Sequence, residues 1–259
     1  MIPADRQSRI LELIEEQRVV RVTDLSGMFG VTELTIRRDL DALEEQGYLD
    51  RTHGGAILRH RMRIEPYYSE KHQKNQDEKN LIGRAVNDCI DDGDTVMVNT
   101  GSTTTQVLRH LSRRNLRVVT SNASAISEIS HPDIELILVG GVYRAQSNSI
   151  VGSFAEAVLN QVVASKSIIG VDGLSMSYGL TTPAHEEAEI TRLMIDRTEG
   201  PVIVVADHSK MEVVSNFVTA PLSRIHTLVT DSGITREFRE ELEHCEVRVI
   251  IADEDGPGG

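Results

Sequence analysis

Cysteine is scarce in this 259-residue chain, long hydrophobic runs are missing, and basic charge is outnumbered. Each shortage closes off a class of protein. Cys89 and Cys245 stand alone, with no partner at metal-ligand spacing, so the sequence offers neither a disulfide framework nor a CxxC pair, and a reducing compartment suits it. No apolar stretch approaches the ~18 residues of a membrane span. The first residues bring Asp5, Arg6 and Arg9 before mixed amphipathic sequence, so a cytoplasmic location is expected, without secretion or membrane insertion. With 27 Lys and Arg against 40 Asp and Glu, a formal net charge of −13, the chain is no general coat for nucleic acid; a contact with DNA has to rest on a local cluster. His131, His185, His208, His226 and His244 show no HxxxH or HxH spacing, so neither an obligatory metal nor a cofactor is expected, and no Ser/His/Asp arrangement can be argued.

What is present falls into two unequal parts, as the length suggests. Ile10, Leu13 and Ile14 recur at helical spacing, and Val19, Val20 and Val22 read as a short extended piece. Thr23 suits the N-cap of a second short helix carrying Leu25, Met28 and Phe29, which Gly30 can end by taking positive φ. Thr32 then caps a third helix, with Leu34, Ile36, Leu40 and Leu43 on its buried side and Gly47 as its stop. From Tyr48 to Leu58, Gly54 and Gly55 sit between short extended stretches, the pattern of a β-wing. The expected boundaries are a winged helix-turn-helix over 1–58, a charged linker with a helical part over 59–79, an α/β domain over 80–252 and a disordered tail over 253–259. In the α/β part, extended apolar runs at 95–98, 116–120, 134–139, 167–171, 202–206, 227–230 and 247–251 alternate with helical patterns, which predicts βαβ units and a largely parallel sheet.

A recognition helix needs a buried stripe that holds it and outward donors near its N-terminus that reach base edges. The stretch "VTELTIRRDLDALEEQGYLDRTHGGA" supplies both. Thr32, Glu33, Thr35, Arg37 and Arg38 lie outward, and arginine can bond O6 and N7 of guanine together, while the cap threonine and helix N-terminus favour a phosphate. In the wing, Arg51, His53 and Gly54 can approach the sugar-phosphate backbone, with Arg59, His60, Arg61 and Arg63 extending the positive patch. The bland alternative is a solvated helix face with i,i+4 pairs such as Arg37 and Asp41. Cap, turn, stripe and wing in sequence order favour the recognition helix. "TIRRDL" followed by "LDRTHGGA" resembles the N-terminal signature of the DeoR family of bacterial sugar-metabolism regulators, which implies a repressor acting on double-stranded operator DNA.

In "VMVNTGSTTTQVLRHL" an apolar strand runs through a Gly/Ser/Thr turn directly into a helix. Backbone N–H groups at such a helix start, with the hydroxyls around Gly101, Ser102, Thr103 and Thr104, match an anion such as a sugar phosphate; plain helix capping needs only one of these residues. Other strand ends carry Asn122, Gly140 and Gly141 with Arg144, Asp172 and Gly173, and Lys210. Ligands of open α/β sheets lie outside the carboxyl ends of the strands, where all of these converge. Lys210 suits the phosphate, and Asp172 or Glu187 suits sugar hydroxyls, against the alternatives of a turn residue and a solvated helix face. This part is similar to the DeoR-type C-terminal sensor and, more distantly, to ribose-5-phosphate isomerase, which shares the GST loop and an "ADxSK" segment; together the resemblances span residues 6 to 252. They imply a Rossmann-like sensor of a phosphorylated sugar. The isomerase pattern fails at its second acid, replaced by Ser175, and at its catalytic lysine, for which "SMSYGLTT" has no counterpart. Binding without turnover is therefore expected. The rival readings are a sugar-phosphate isomerase-like enzyme with a DNA-binding head and an activator of the same fold. A homodimer or homotetramer is expected, since one recognition helix reads only a few base pairs.

Overall fold

A computed structural model describes residues 3–17, 19–45, 48–52, 54–58 and 65–253. The chain divides into two compact units, Met1–Arg63 and Ile64–Gly259. In the first, α1 (Pro3–Gln17), β1 (Val19–Arg21), α2 (Val22–Phe29), α3 (Glu33–Glu45), β2 (Leu49–Thr52) and β3 (Gly55–Leu58) form three helices and an antiparallel sheet of order β1-β3-β2. Its core joins Ile10 and Ile14 of α1, Leu25 of α2, and Ile36, Leu40 and Leu43 of α3 to Val20, Leu49 and Ala56 of the sheet. Gly30 ends α2 at φ +63, the left-handed conformation that lets the chain turn at once into α3. Gly55 is required by contact instead: a Cβ there would lie 1.9 Å from the carbonyl oxygen of Val20.

Two details depart from the sequence pattern. Helix α2 begins at Val22, not after Thr23, and has no side-chain cap; the Thr23 hydroxyl donates to Asp24 instead. Val22 joins the helix because its side chain is needed in the core. Leu34 is 60% exposed rather than buried. The core stripe of α3 repeats through Ile36, Leu40 and Leu43, and a residue two places before Ile36 lies about 200° round the helix from it.

The second unit contains α4 (Tyr68–Gln73), α5 (Gln76–Val86), β4 (Thr95–Val98), α6 (Ser102–His110), β5 (Leu116–Thr120), α7 (Ala125–Glu128), β6 (Ile134–Leu138), β7 (Val142–Arg144), β8 (Ser149–Val151), α8 (Ser153–Leu159), β9 (Lys166–Gly170), β10 (Gly173–Ser175), β11 (Gly179–Thr182), α9 (His185–Asp196), β12 (Val202–Val205), β13 (Phe217–Ala220), β14 (Thr227–Asp231), α10 (Arg236–His244) and β15 (Arg248–Ala252). Seven of these strands form one parallel sheet of order β15-β14-β12-β9-β4-β5-β6, so this unit is an α/β domain on a parallel sheet, as its apolar runs predict. Its central strands are buried on both faces. Met97, Ile169, Val204 and Leu228 pack on one side with residues of α8, α9 and α10, while Val96, Val98, Ile168, Ile203 and Val229 pack on the other with α5 and α6. A small antiparallel sheet of order β10-β11-β13 and the hairpin β7-β8 are added to this frame. Among the described residues, no helix is long and apolar enough to cross a membrane.

Candidate functional site

The strand β4 ends at Val98, and Asn99 turns the chain toward α6. The Asn99 amide donates to the Gly170 carbonyl (2.9 Å) and to Thr191 Oγ1 (3.2 Å), while its Oδ1 accepts from Gly170 N–H (2.8 Å). It thereby ties the carboxyl ends of β4 and β9 to α9. Helix α6 starts at Ser102, and no side chain caps it. The hydroxyls of Thr104 and Thr105 donate back to the Gly101 carbonyl at 3.0 and 2.8 Å, which locks the loop. Ser102 and Thr103 instead line a cavity together with Gly101. Side-chain capping therefore does not account for this run, and the first N–H groups of α6 have no side-chain cap.

Across the cavity stand Asp172, Glu187, Lys210 and Lys71. Asp172 accepts from Lys71 Nζ (3.0 Å) at Oδ1 and from the Thr182 hydroxyl (3.1 Å) at Oδ2. Burial pushes its carboxyl up, but Lys71, Lys210 and Thr182 outweigh burial and hold it below the usual carboxylate range. Burial likewise pulls the Lys71 amine down, and Asp172 more than restores it, so both members of the pair are charged. Glu187 Oε1 accepts from Arg144 (2.9 Å) and from the Ser149 hydroxyl (2.8 Å). Beyond it, Arg144 donates to both oxygens of Glu65 at 3.0 and 2.8 Å. Behind Lys210, Asp207 accepts from Asn75 (2.8 Å) and lies 4.0 Å from the buried Lys79 amine. Burial lowers the Lys79 amine to about 8 despite that carboxylate.

Of the predicted ligand residues, the fold brings Gly101, Ser102, Thr103, Asp172, Glu187 and Lys210 to one cavity. The others lie off its walls. Thr104 is spent on Gly101, and Asn122 is fully buried, donating to Thr105 Oγ1 (2.9 Å). Gly173 packs against the Val213 carbonyl, Gly140 and Gly141 precede β7 in exposed positions, and Arg144 reaches the cavity only through Glu187. Lys71, Thr181, Thr182 and Ser149 line the cavity without having been singled out in the sequence. Lys71 carried no signal, since it sits in a charged stretch on α4, 101 residues before its partner. The three hydroxyls could have been suspected only as further strand-end residues.

In the first unit Thr32 Oγ1 accepts from Thr35 N–H (3.3 Å), the expected cap, and its hydroxyl meets that of Thr35 at 3.0 Å. Glu33, Arg37 and Arg38 are exposed on one face of α3. Arg37 pairs with Glu33 (3.4 Å), not Asp41, which instead meets Arg51 at 3.0 Å. Arg51 also donates to the Gly55 carbonyl (3.1 Å), so its guanidinium braces the wing, at whose turn Gly54 is exposed. His53, Gly47, Arg59, His60, Arg61 and Arg63 lie outside the described residues.

Residues 6–62 match the DeoR-like helix-turn-helix domain and residues 74–232 the DeoR C terminal sensor domain. The chain is 32% identical over 251 residues to the HTH-type transcriptional regulator GlpR of Haloferax volcanii, covering 96% of this chain and 98% of that protein. It is 33% identical to the transcriptional repressor AccR of Agrobacterium fabrum, covering 96% and 97%. Among solved structures it is similar to a ribose 5-phosphate isomerase from Methanocaldococcus jannaschii, at 15% identity and TM-score 0.39 over 53% of this chain and 55% of that one. With both domains matched in order along nearly its full length, the chain belongs to the DeoR family of helix-turn-helix transcriptional regulators.

Proposed function

We propose that this protein represses an operon for uptake or use of a sugar or polyol, and that a phosphorylated sugar bound at the sheet's carboxyl edge relieves repression. The observation that carries the ligand class is the make-up of the cavity lining. The start of α6, with the hydroxyls of Ser102 and Thr103, shares that lining with Lys71 and Lys210, a set that suits a phosphate. Glu187 and the hydroxyls of Ser149, Thr181 and Thr182 line it too and suit a body rich in hydroxyl groups. Among the described residues, no aromatic side chain on which a nucleobase would stack lines the cavity. Relatives called repressors, such as AccR, support the direction of control. Linkage then requires operator DNA to weaken effector binding by the factor with which effector weakens operator binding.

The same pocket favours binding over turnover. Asp172 is held ionised by Lys71 and Thr182, and Glu187 is bonded to Arg144, whereas proton shuttling between sugar carbons needs a group that takes up and releases a proton. One observation supports the isomerase reading, namely that Lys71 supplies an amine beside a carboxylate in the cavity. Turnover of ribose 5-phosphate by the purified protein would establish that reading.

The test of the main proposal is a thermal-shift screen against glycerol 3-phosphate, ribose 5-phosphate, fructose 1-phosphate and glucose 6-phosphate, repeated on Ser102→Asp and Lys210→Glu. A ligand at 100 times its dissociation constant adds about 2.7 kcal/mol of stability. A new carboxylate about 4 Å from a phosphate costs on the order of 4 kcal/mol at an effective dielectric near 20, so both variants should bind operator but lose the ligand about a thousandfold. Unchanged ligand response in both would place the phosphate elsewhere.

A further inference from the structure

The outward face of α3 carries one large apolar side chain that its own fold does not use. Leu34 is 60% exposed, although the buried stripe of the helix is complete without it in Ile36, Leu40 and Leu43. The residues one turn on from it, at i+3 and i+4, are Arg37 and Arg38, both exposed. At about 100° per residue Leu34 falls between the two arginines around the helix. It also stands in the first turn, two residues after the Thr32 cap that fixes where the helix begins. A leucine framed by two guanidinium groups gains no burial from a surface that only meets water, and would gain it against an apolar group of a partner.

In helix-turn-helix proteins the N-terminal residues of the second helix contact base edges in the major groove. Leucine can neither donate nor accept a hydrogen bond, so it cannot read the donor and acceptor pattern of a base pair. The one apolar group exposed in that groove is the thymine C5-methyl. We propose that Leu34 is a specificity-determining residue that reads a thymine methyl in each operator half-site, between contacts made by Arg37 and Arg38. This rests on α3 being the recognition helix. It goes further in assigning one position of the operator a base identity and a chemical group.

The experiment uses the full chain. Preferred sites are first selected from a randomised duplex pool, and each thymine of the enriched site is then replaced singly by deoxyuridine, which removes the methyl and nothing else. Wild type should bind at least one such duplex about fourfold more weakly, the size expected when one methyl-sized group loses its burial. Leu34→Ala should bind the thymine site about as weakly as wild type binds the uracil site, and should be indifferent to that replacement. Alanine at an exposed helix position favours the helix, so the variant folds, which circular dichroism checks. Wild type insensitive to every replacement, or Leu34→Ala keeping the full sensitivity, overturns the assignment. A variant that changes assembly state in sedimentation while keeping its thymine preference would show that Leu34 faces a second copy, and overturns it too. If wild type enriches no sequence at all, the recognition-helix reading fails and this inference with it.

Discussion

Asp39 belongs to the same six-residue run as the outward arginines, yet its side chain turns inward. Arg6 Nε meets Asp39 Oδ2 at 2.6 Å and Arg6 Nη2 meets Oδ1 at 3.2 Å, with both residues buried. The pair pins α1 to α3, which accounts for an acid in the middle of the helix proposed to read DNA. Asp39→Asn keeps the shape and strands the guanidinium; breaking a buried pair in a unit this small should cost about 3 kcal/mol. Urea unfolding monitored by amide exchange at Ile36 and Leu40 should show it, with Arg6→Met/Asp39→Leu recovering most of the loss. A second residue-scale test concerns Lys79, whose amine titrates near 8 because burial outweighs Asp207. The unfolded chain holds that proton up to the ordinary value of 10.5. Stability from this group is therefore full above the ordinary value and is lost as pH falls through about 8. The melting temperature of wild type relative to Lys79→Met should rise between those two pH values, and a constant difference would mean that the amine is solvated.

At the scale of elements, the strands were the legible part. Runs such as Thr95–Val98 and Leu116–Thr120 coincide with β4 and β5 because strands covered on both faces are apolar throughout. Strand ends then point to Ser102, Asp172 and Lys210, since the topology of a parallel sheet brings such ends together whatever the loops do. Leu34 and Lys71 were not legible, for opposite reasons. A leucine at the edge of a helical stripe is read as core, and a lysine in a charged stretch as solvated, until a partner distant in sequence decides. For Lys71 that partner is Asp172, reached because α4 lies against the cavity. The segment before α4 is fixed by a chain of contacts that starts in the cavity wall. Glu187 holds Arg144, Arg144 holds Glu65, and Gln146 accepts from Tyr68 N–H (2.7 Å) while donating to the Glu65 carbonyl (2.6 Å). Removing the shared cation leaves two carboxylates facing each other across partly solvated space. Arg144→Gln should open residues 65–73 by about 2 kcal/mol, discounted for the solvent access of the guanidinium. Amide exchange there should quicken roughly thirtyfold. Unchanged exchange would show that Gln146, Tyr68 and the Lys71–Asp172 pair hold the segment without Arg144.

Over the whole molecule the negative charge is unevenly divided. Residues 1–63 contain ten arginines and no lysine against eleven acidic residues, so nearly all of the net −13 resides in the second unit. An acidic protein of this kind gains nothing from its total charge on approaching DNA, and attraction has to come from arginines close to the phosphates. Such contacts release counterions, and the release is set by the number of phosphates neutralised and not by the net charge of the protein. Operator binding should therefore weaken steeply with salt. For a symmetric pair of heads with about three phosphate contacts each, the slope of log affinity against log salt is about −5. The arginines are not equivalent in this respect. Arg38 is exposed on the outward face of α3, whereas Arg51 is committed to Asp41 and the Gly55 carbonyl. Arg38→Ala should flatten the slope by about 2 if it meets one phosphate in each half-site, whereas Arg51→Ala should lower affinity through a looser wing and leave the slope nearly unchanged. Fluorescence anisotropy with a labelled operator at a series of salt concentrations measures all three slopes. A flat line for wild type would contradict arginine-phosphate binding altogether, and a flattening with Arg51→Ala equal to that with Arg38→Ala would show that the wing leaves its brace to grip the backbone.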